Sequence, residues 1–187
     1  MKLRYLVHGT TSFSQIINAL NGKTITCYNN SICNKQILNG IYTTPIFDFN
    51  LNNILLSLHG KFLIILEPNI LNDEEYKCFE TECGGGFLNT KKNIFFHNRI
   101  DDYIIQCYKN YQKEIKEKEE YLPGEIVLKN NIKLDKYIKY IIVKLSINNN
   151  LEVDLDELQD YNWNAIKRYK DKFLFVKETE YLNFEKL

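Results

Sequence analysis

The chain has 187 residues, the size of one domain with at most a small extension, and 44% of them are hydrophobic, enough to bury a sizeable core. Its 24 Lys and Arg balance 24 Asp and Glu, so no general electrostatic pull toward nucleic acid or anionic lipid is expected. Five cysteines (Cys27, Cys33, Cys78, Cys83, Cys107) form no Cys-x-x-Cys pair, and no apolar run nears the roughly 18 residues of a membrane span.

Met1–His8 is too short and too polar for a signal peptide, so a soluble protein of a reducing compartment, cytoplasmic or nuclear, is expected. The bias toward Lys, Asn and Ile resembles the codon usage of an AT-rich genome, such as that of a parasite or a large DNA virus. In the viral case a virion-associated location is the alternative.

Leu3–Val7 is a short apolar run that predicts a buried strand ending at His8-Gly9. Ser12 with Gln15 three residues on fits a capping box, and Phe13, Ile16, Ile17 and Leu20 follow at helical spacing. Asn21-Gly22 is the expected helix stop. His8 therefore lies where a strand turns into a helix, a place where side chains and free N–H groups converge on ligands.

Ile41–Thr44 predicts a short strand stopped by Pro45, and Phe62–Leu66 a central strand ended by Pro68. Asp73–Asn93, with its Gly84–Gly86 run, reads as a mobile loop. That run lacks the Lys-Ser/Thr of a phosphate-binding loop. Ile100, Tyr103, Ile104, Cys107, Tyr108, Tyr111 and Ile115 form the apolar stripe of a long helix whose last turns are a solvated charged face. Cys107 on this stripe reads as core.

Pro123-Gly124 breaks that helix, and Glu125–Lys129 resumes as a strand. Tyr137–Leu145 reads as its strand partner, Leu155–Lys170 as a helix and Phe173–Val176 as a last strand. Trp163 is expected to anchor this C-terminal segment. Strands in clusters rather than strict alternation give an α+β class. Cys78, Cys83 and His97 match no zinc spacing and lack a fourth ligand, so no metal is expected.

Three pieces, in order, resemble the poly(ADP-ribose) polymerase family. Tyr5-Leu6-Val7-His8-Gly9-Thr10-Thr11 is similar to its strand ending in His-Gly-Ser/Thr. Gly40-Ile41-Tyr42-Thr43 is similar to its Gly-Ile-Tyr-Phe element. Gly124-Glu125-Ile126-Val127-Leu128, with Tyr137-Ile138 downstream, resembles its Glu-Tyr-Ile/Val-Val strand and the strand after it. Each short motif alone recurs by chance; together they span residues 3–146.

The resemblance implies an ADP-ribosyltransferase fold: a split, mostly antiparallel β-core with flanking helices. Residues 1–146 would be the catalytic domain and 147–187 a small helix/strand extension packed on it. NAD would be the substrate. Breaking its glycosidic bond develops oxocarbenium-like charge on the ribose, which calls for rigid orientation and a nearby negative group. The family's pattern gives Glu125 that role. It sets Tyr42 against the nicotinamide ring, where stacking is worth about 0.5–1.5 kcal/mol beyond burial. His8 would bond the adenosine-side ribose, the Gly9 backbone the carboxamide, and Thr10 the adenosine ribose.

After Tyr42 the chain departs from the family. It runs Thr43-Thr44-Pro45-Ile46-Phe47-Asp48-Phe49-Asn50, without the Lys-Ser and second Tyr that close the other side of the nicotinamide. Phe47 or Phe49 would supply that ring face, and Asn50 a polar contact. Mono-ADP-ribosylation of a protein acceptor, with release of nicotinamide, is the expected activity. One alternative is a catalytically silent module of the same fold, serving as an interaction or virion-associated structural protein. Another is transfer to nucleic acid, which in related RNA phosphotransferases relies on arginines; this chain offers Arg4, Arg99 and Arg168 alone.

Overall fold

The computed structural model describes residues 1–10, 12–26, 40–51, 60–80, 96–117, 121, 124–145 and 164–177. Among them, β1 (Leu3–Thr10), β3 (Ile41–Phe47), β4 (Phe62–Leu66), β5 (Tyr76–Phe79), β6 (Phe96–His97), β7 (Glu125–Leu128), β9 (Ile138–Leu145) and β10 (Phe173–Lys177) form one sheet in the order β10-β9-β4-β1-β3-β7-β5-β6. A second, two-stranded sheet pairs β2 (Thr24–Ile25) with β8 (Ile132–Lys133). All pairings are antiparallel except β10 on β9. The expected α+β class with a mostly antiparallel core is what the chain adopts.

The large sheet is split along β3. Its C-terminal half pairs with β1, from Leu3↔Phe47 to Val7↔Thr44. Its N-terminal half pairs with β7, from Ile41↔Leu128 to Thr43↔Ile126. One strand thus belongs to both half-sheets, and beyond Val7 the end of β1 pairs with β4 alone, His8↔Ile64 to Thr10↔Phe62.

Pro45 does not stop β3, contrary to the sequence expectation. Asp48 N–H bonds Lys2 O on the β1 side, so the nitrogens of Phe47 and Pro45 face the other edge, where β7 no longer pairs. Asn50 Oδ1 accepts the Phe47 N–H at 2.8 Å, and Pro45 has no N–H to satisfy.

Helix α1 (Phe13–Gly22) buries Phe13, Ile16, Ile17 and Leu20 against one face of the sheet. Each such side chain contributes about 1.5–3 kcal/mol by leaving water. The capping box is not built, because Thr10 Oγ1 donates to the Gln15 side chain instead, and Ser12 Oγ meets Ser14 Oγ at 2.5 Å. The helix ends through Lys23, which takes the left-handed conformation (φ 55°) and bonds the Ala19 and Leu20 carbonyls. The stop lies one residue past the glycine that marks it in the sequence.

Helix α2 (Ile100–Glu117) buries Tyr103 and Cys107. Its apolar stripe runs off the body before Ile115, which is half exposed. Two further expectations change. The segment after Asp73 contains β5, and β9 pairs with β4 and β10 rather than with β7. Short α3 (Leu134–Tyr137) leads into β9 and is tied down by Tyr137 Oη donating to Asp73 at 2.8 Å. Of the predicted C-terminal helix, α4 (Asn164–Arg168) is described. Cys27, Cys33, Cys83, the Gly84–Gly86 run, residues 155–163 with Trp163, and Thr11 lie outside the described residues. No helix among the described residues is long and apolar enough to cross a membrane.

Candidate active site

The split in the sheet sets the geometry. On one side stands the end of β1 with His8, Gly9 and Thr10; on the other the start of β3 with Ile41, Tyr42 and Thr43. No ladder joins these two edges. A side chain does: His8 Nδ1–H donates to the Tyr42 carbonyl at 2.9 Å. That bond fixes the tautomer and leaves Nε2 with a lone pair. Burial holds the imidazole below its ordinary value of 6.5, with the Tyr42 bond pulling the other way. His8 is thus neutral and acceptor-ready at neutral pH.

His8 and Thr10 line a cavity of about 400 Å³ beneath α1. Ile16, Ile25 and Ile64 give it an apolar floor, and Gln15, Asn18 and Thr24 a polar rim. A sequence pattern cannot supply these rim residues, because they meet only when α1 folds over β1 and β2.

Tyr42 and Glu125 are not among the cavity's lining residues; they lie on the neighbouring strands β3 and β7. Tyr42 is half-buried and packs on Phe79 and Val127. Glu125, 8% exposed, opens β7 directly across from Phe79. Thr43 Oγ1 donates to Ile126 O at 2.7 Å and locks the register between β3 and β7.

Two glycines from the recognised motifs are required by close approach. A Cβ on Gly40 would meet Val127 Cγ1 at 2.4 Å and Leu128 O at 2.8 Å. On Gly124 it would meet Phe79 O at 1.9 Å, Glu80 C at 2.7 Å and Tyr103 Oη at 2.8 Å. So the glycine two residues before Tyr42 and the glycine immediately before Glu125 are both clamped. The Cys107 sulfur lies against the Gly124 backbone as well, and burial pushes its thiol up to about 11. Burial raises the Cys78 thiol further, so neither is a nucleophile at neutral pH.

The other expected contacts fare differently. Phe47 is fully buried, stacked on Phe49 with ring centroids 4.9 Å apart and tilted against Tyr103, so it offers no free ring face. Phe49 sits among Tyr108, Tyr111 and Tyr121. Asn50 gives its carbonyl to Phe47 N–H, while its buried Nδ2 has no partner among the described residues. Of the stretch that departs from the family motif after Tyr42, Phe47 has therefore become core.

Sequence reasoning weighed His97 as a zinc ligand and missed its actual neighbour. His97 Nε2–H donates to Glu80 Oε1 at 2.7 Å. No group of His, Cys, Asp and Glu among the described residues is arranged to hold a metal ion.

No protein-family model and no curated protein matches the chain. Solved structures do. DarT from Thermus sp. 2.9 in complex with carba-NAD+ superposes with a TM-score of 0.55 over 97% of this chain and 100% of that one, at 9% identity. Its complex with NAD+ gives 0.53 over 95% of each chain, also at 9% identity. The complex of the same protein with ADP-ribosylated ssDNA gives 0.52 over 95% and 94%, again at 9%. The fold is that of DarT. The ADP-ribosyltransferase fold expected from three short motifs is thus the fold that the chain shares with DarT. At 9% identity the likeness to DarT is one of backbone architecture.

Proposed function

We propose that the chain is an NAD-dependent ADP-ribosyltransferase whose dinucleotide lies along the split in the sheet. The observation that carries this reading is the bond from His8 to Tyr42 across that split, with Glu125 on the next strand. The likeness to DarT structures holding NAD+ and carba-NAD+ supports it.

The cavity and the neighbouring strands β3 and β7 suit the two ends of the substrate. The cavity beneath α1 would take the adenosine end: apolar walls for the base, hydroxyls and amides for its edges and ribose. His8 Nε2 would accept from a ribose hydroxyl. The nicotinamide end would lie toward Tyr42, whose ring stacks on it, with the Gly9 backbone on the carboxamide. Glu125 would bond the nicotinamide-ribose hydroxyl and oppose the charge that grows on C1′. The C1′–N bond breaks with its electron pair leaving on nicotinamide, an acceptor atom bonds C1′, and the acceptor's proton passes to Glu125 or water. Phe47, enclosed in the core, takes no part; Phe49 and the Asn50 amide remain the contacts proposed beyond Tyr42.

For the acceptor, the balance shifts from protein to nucleic acid. A protein acceptor has no support beyond the sequence expectation, whereas DarT is seen with ADP-ribosylated ssDNA. We therefore favour single-stranded DNA. The sequence expectation of one catalytic domain (1–146) with an extension (147–187) is kept; β10 joins the same sheet through β9. Chemistry on NAD fits an intracellular location.

The enclosed Phe47 favours one second reading, a silent module of the same fold. Labelled NAD incubated with the protein and single-stranded oligonucleotides separates the two. Label on DNA, lowered at least about 100-fold by Glu125→Gln at unchanged melting temperature, is the expected result. Wild-type transfer by that variant would remove Glu125 from the mechanism. No turnover, together with no rise in melting temperature with carba-NAD, would establish the silent module.

A further inference from the structure

Glu125 owes its position to Gly124, and Gly124 has no side chain of its own to hold it. What holds it is the backbone at the Phe79–Glu80 peptide: the Phe79 carbonyl oxygen and the Glu80 carbonyl carbon would stand 1.9 Å and 2.7 Å from a Cβ there. That peptide is the end of β5, where pairing with β7 stops at Phe79↔Glu125. At that end Phe79 is paired on both sides, with Glu125 of β7 and Phe96 of β6, and a side chain adds a further tie one residue on. Here the tie is Glu80, the first residue past the strand, whose carboxylate accepts from His97 Nε2–H at 2.7 Å.

The pair is placed to act as a fixed brace. The side chains are 24% and 20% exposed, so water competes for their bond less than at an open surface. His97 is further fixed by the Cys78↔His97 pairing and by the Tyr103 ring, 6.0 Å away. Tyr103 is wholly buried and its hydroxyl points at the same spot on Gly124. Glu80, His97 and Tyr103 thus converge on the peptide that precedes Glu125. Alternation puts Cys78, His97 and Glu80 on one face of the sheet and Phe79 with Glu125 on the other. The imidazole is therefore behind the carboxylate rather than beside it.

We propose that His97 is a positioning residue for Glu125, acting through Glu80 and the Phe79–Glu80 peptide that packs on Gly124. Its catalytic consequence rests on the ADP-ribosyltransferase reading; its structural core does not. Losing the brace shifts the carboxylate within a folded site, and a displacement on the order of 1 Å lowers turnover by up to about 100-fold.

Three variants test this: His97→Ala, His97→Gln, whose amide can still donate to Glu80, and Glu80→Ala. Expected for His97→Ala and Glu80→Ala is a kcat about 10- to 100-fold lower with KM for NAD within about twofold. His97→Gln should recover most of the loss. Hydrogen exchange at the Gly124 and Glu125 amides should speed up in the two alanine variants, with exchange in β1 and β4 unchanged. Wild-type kcat in His97→Ala, a loss carried equally by His97→Gln, or unaltered exchange at Gly124 and Glu125 would overturn the proposal. Should the wild-type chain prove inactive on NAD, the functional reading fails by itself, and the exchange data alone decide whether His97 holds the Glu125 strand.

Discussion

Gly22, Gly40 and Gly124 all flank a regular element and look alike in the sequence, yet the structure separates them. Around Gly22 an added Cβ would meet nothing within 4 Å. Gly22→Ala should therefore be neutral or gain about 0.5–1 kcal/mol, because alanine loses less freedom at a helical position. Gly124→Ala forces a Cβ into the Phe79 carbonyl at 1.9 Å and should cost about 1–3 kcal/mol or displace β7. Urea unfolding of the two variants side by side checks both, and equal midpoints would contradict the clamp. The difference is invisible in the sequence because the clashing partner, Phe79, is 45 residues away along the chain (124 − 79). The motif resemblance marked Gly124 and Glu125 as special; only the folded β5–β7 pair says why glycine is required.

Among the elements, α1 carries a large share of the core and forms one wall of the cavity. Ile17 is completely enclosed on its buried face, and Ile17→Ala should cost about 2–5 kcal/mol. Ile115 on α2, half exposed, should change stability by less than about 0.5 kcal/mol when replaced by Ala. Thermal melts of both variants decide, and a large loss at Ile115 would mean that the end of α2 is covered. Elements defined by local pattern were legible in the sequence: Phe62–Leu66 is β4 to the residue, and the helical stripes found both long helices. What depends on distant partners was not. Pro45 reads as a strand breaker until β7 is seen to stop short of it. Tyr137–Leu145 was paired with the nearest strand in sequence, whereas β9 instead lies between β4 and β10, a choice made by long-range packing. The same limit hid the Glu80–His97 bond, which joins two residues 17 positions apart in the sequence.

For the molecule as a whole, His8 gives the pH dependence its sign. Burial lowers its folded pKa below 6.5, so at mildly acid pH the unfolded chain binds the extra proton and the folded one resists it. Stability should therefore fall as pH drops below about 6.5 and recover above it. His8→Gln should flatten this part of the curve between pH 7.5 and 5.5, as read by urea midpoints. An identical slope in both proteins would show that His8 titrates freely. In the folded protein the same proton would fill Nε2 and spoil the acceptor proposed for the ribose hydroxyl, so substrate binding should weaken at lower pH than stability does. Finally, β3 is shared by both half-sheets and has only seven residues. Like a beam common to two panels, it lets neither side hinge open without bending itself. Widening of the gap must then come from twist within residues 41–47, whose amides should be among the slowest in the chain to exchange.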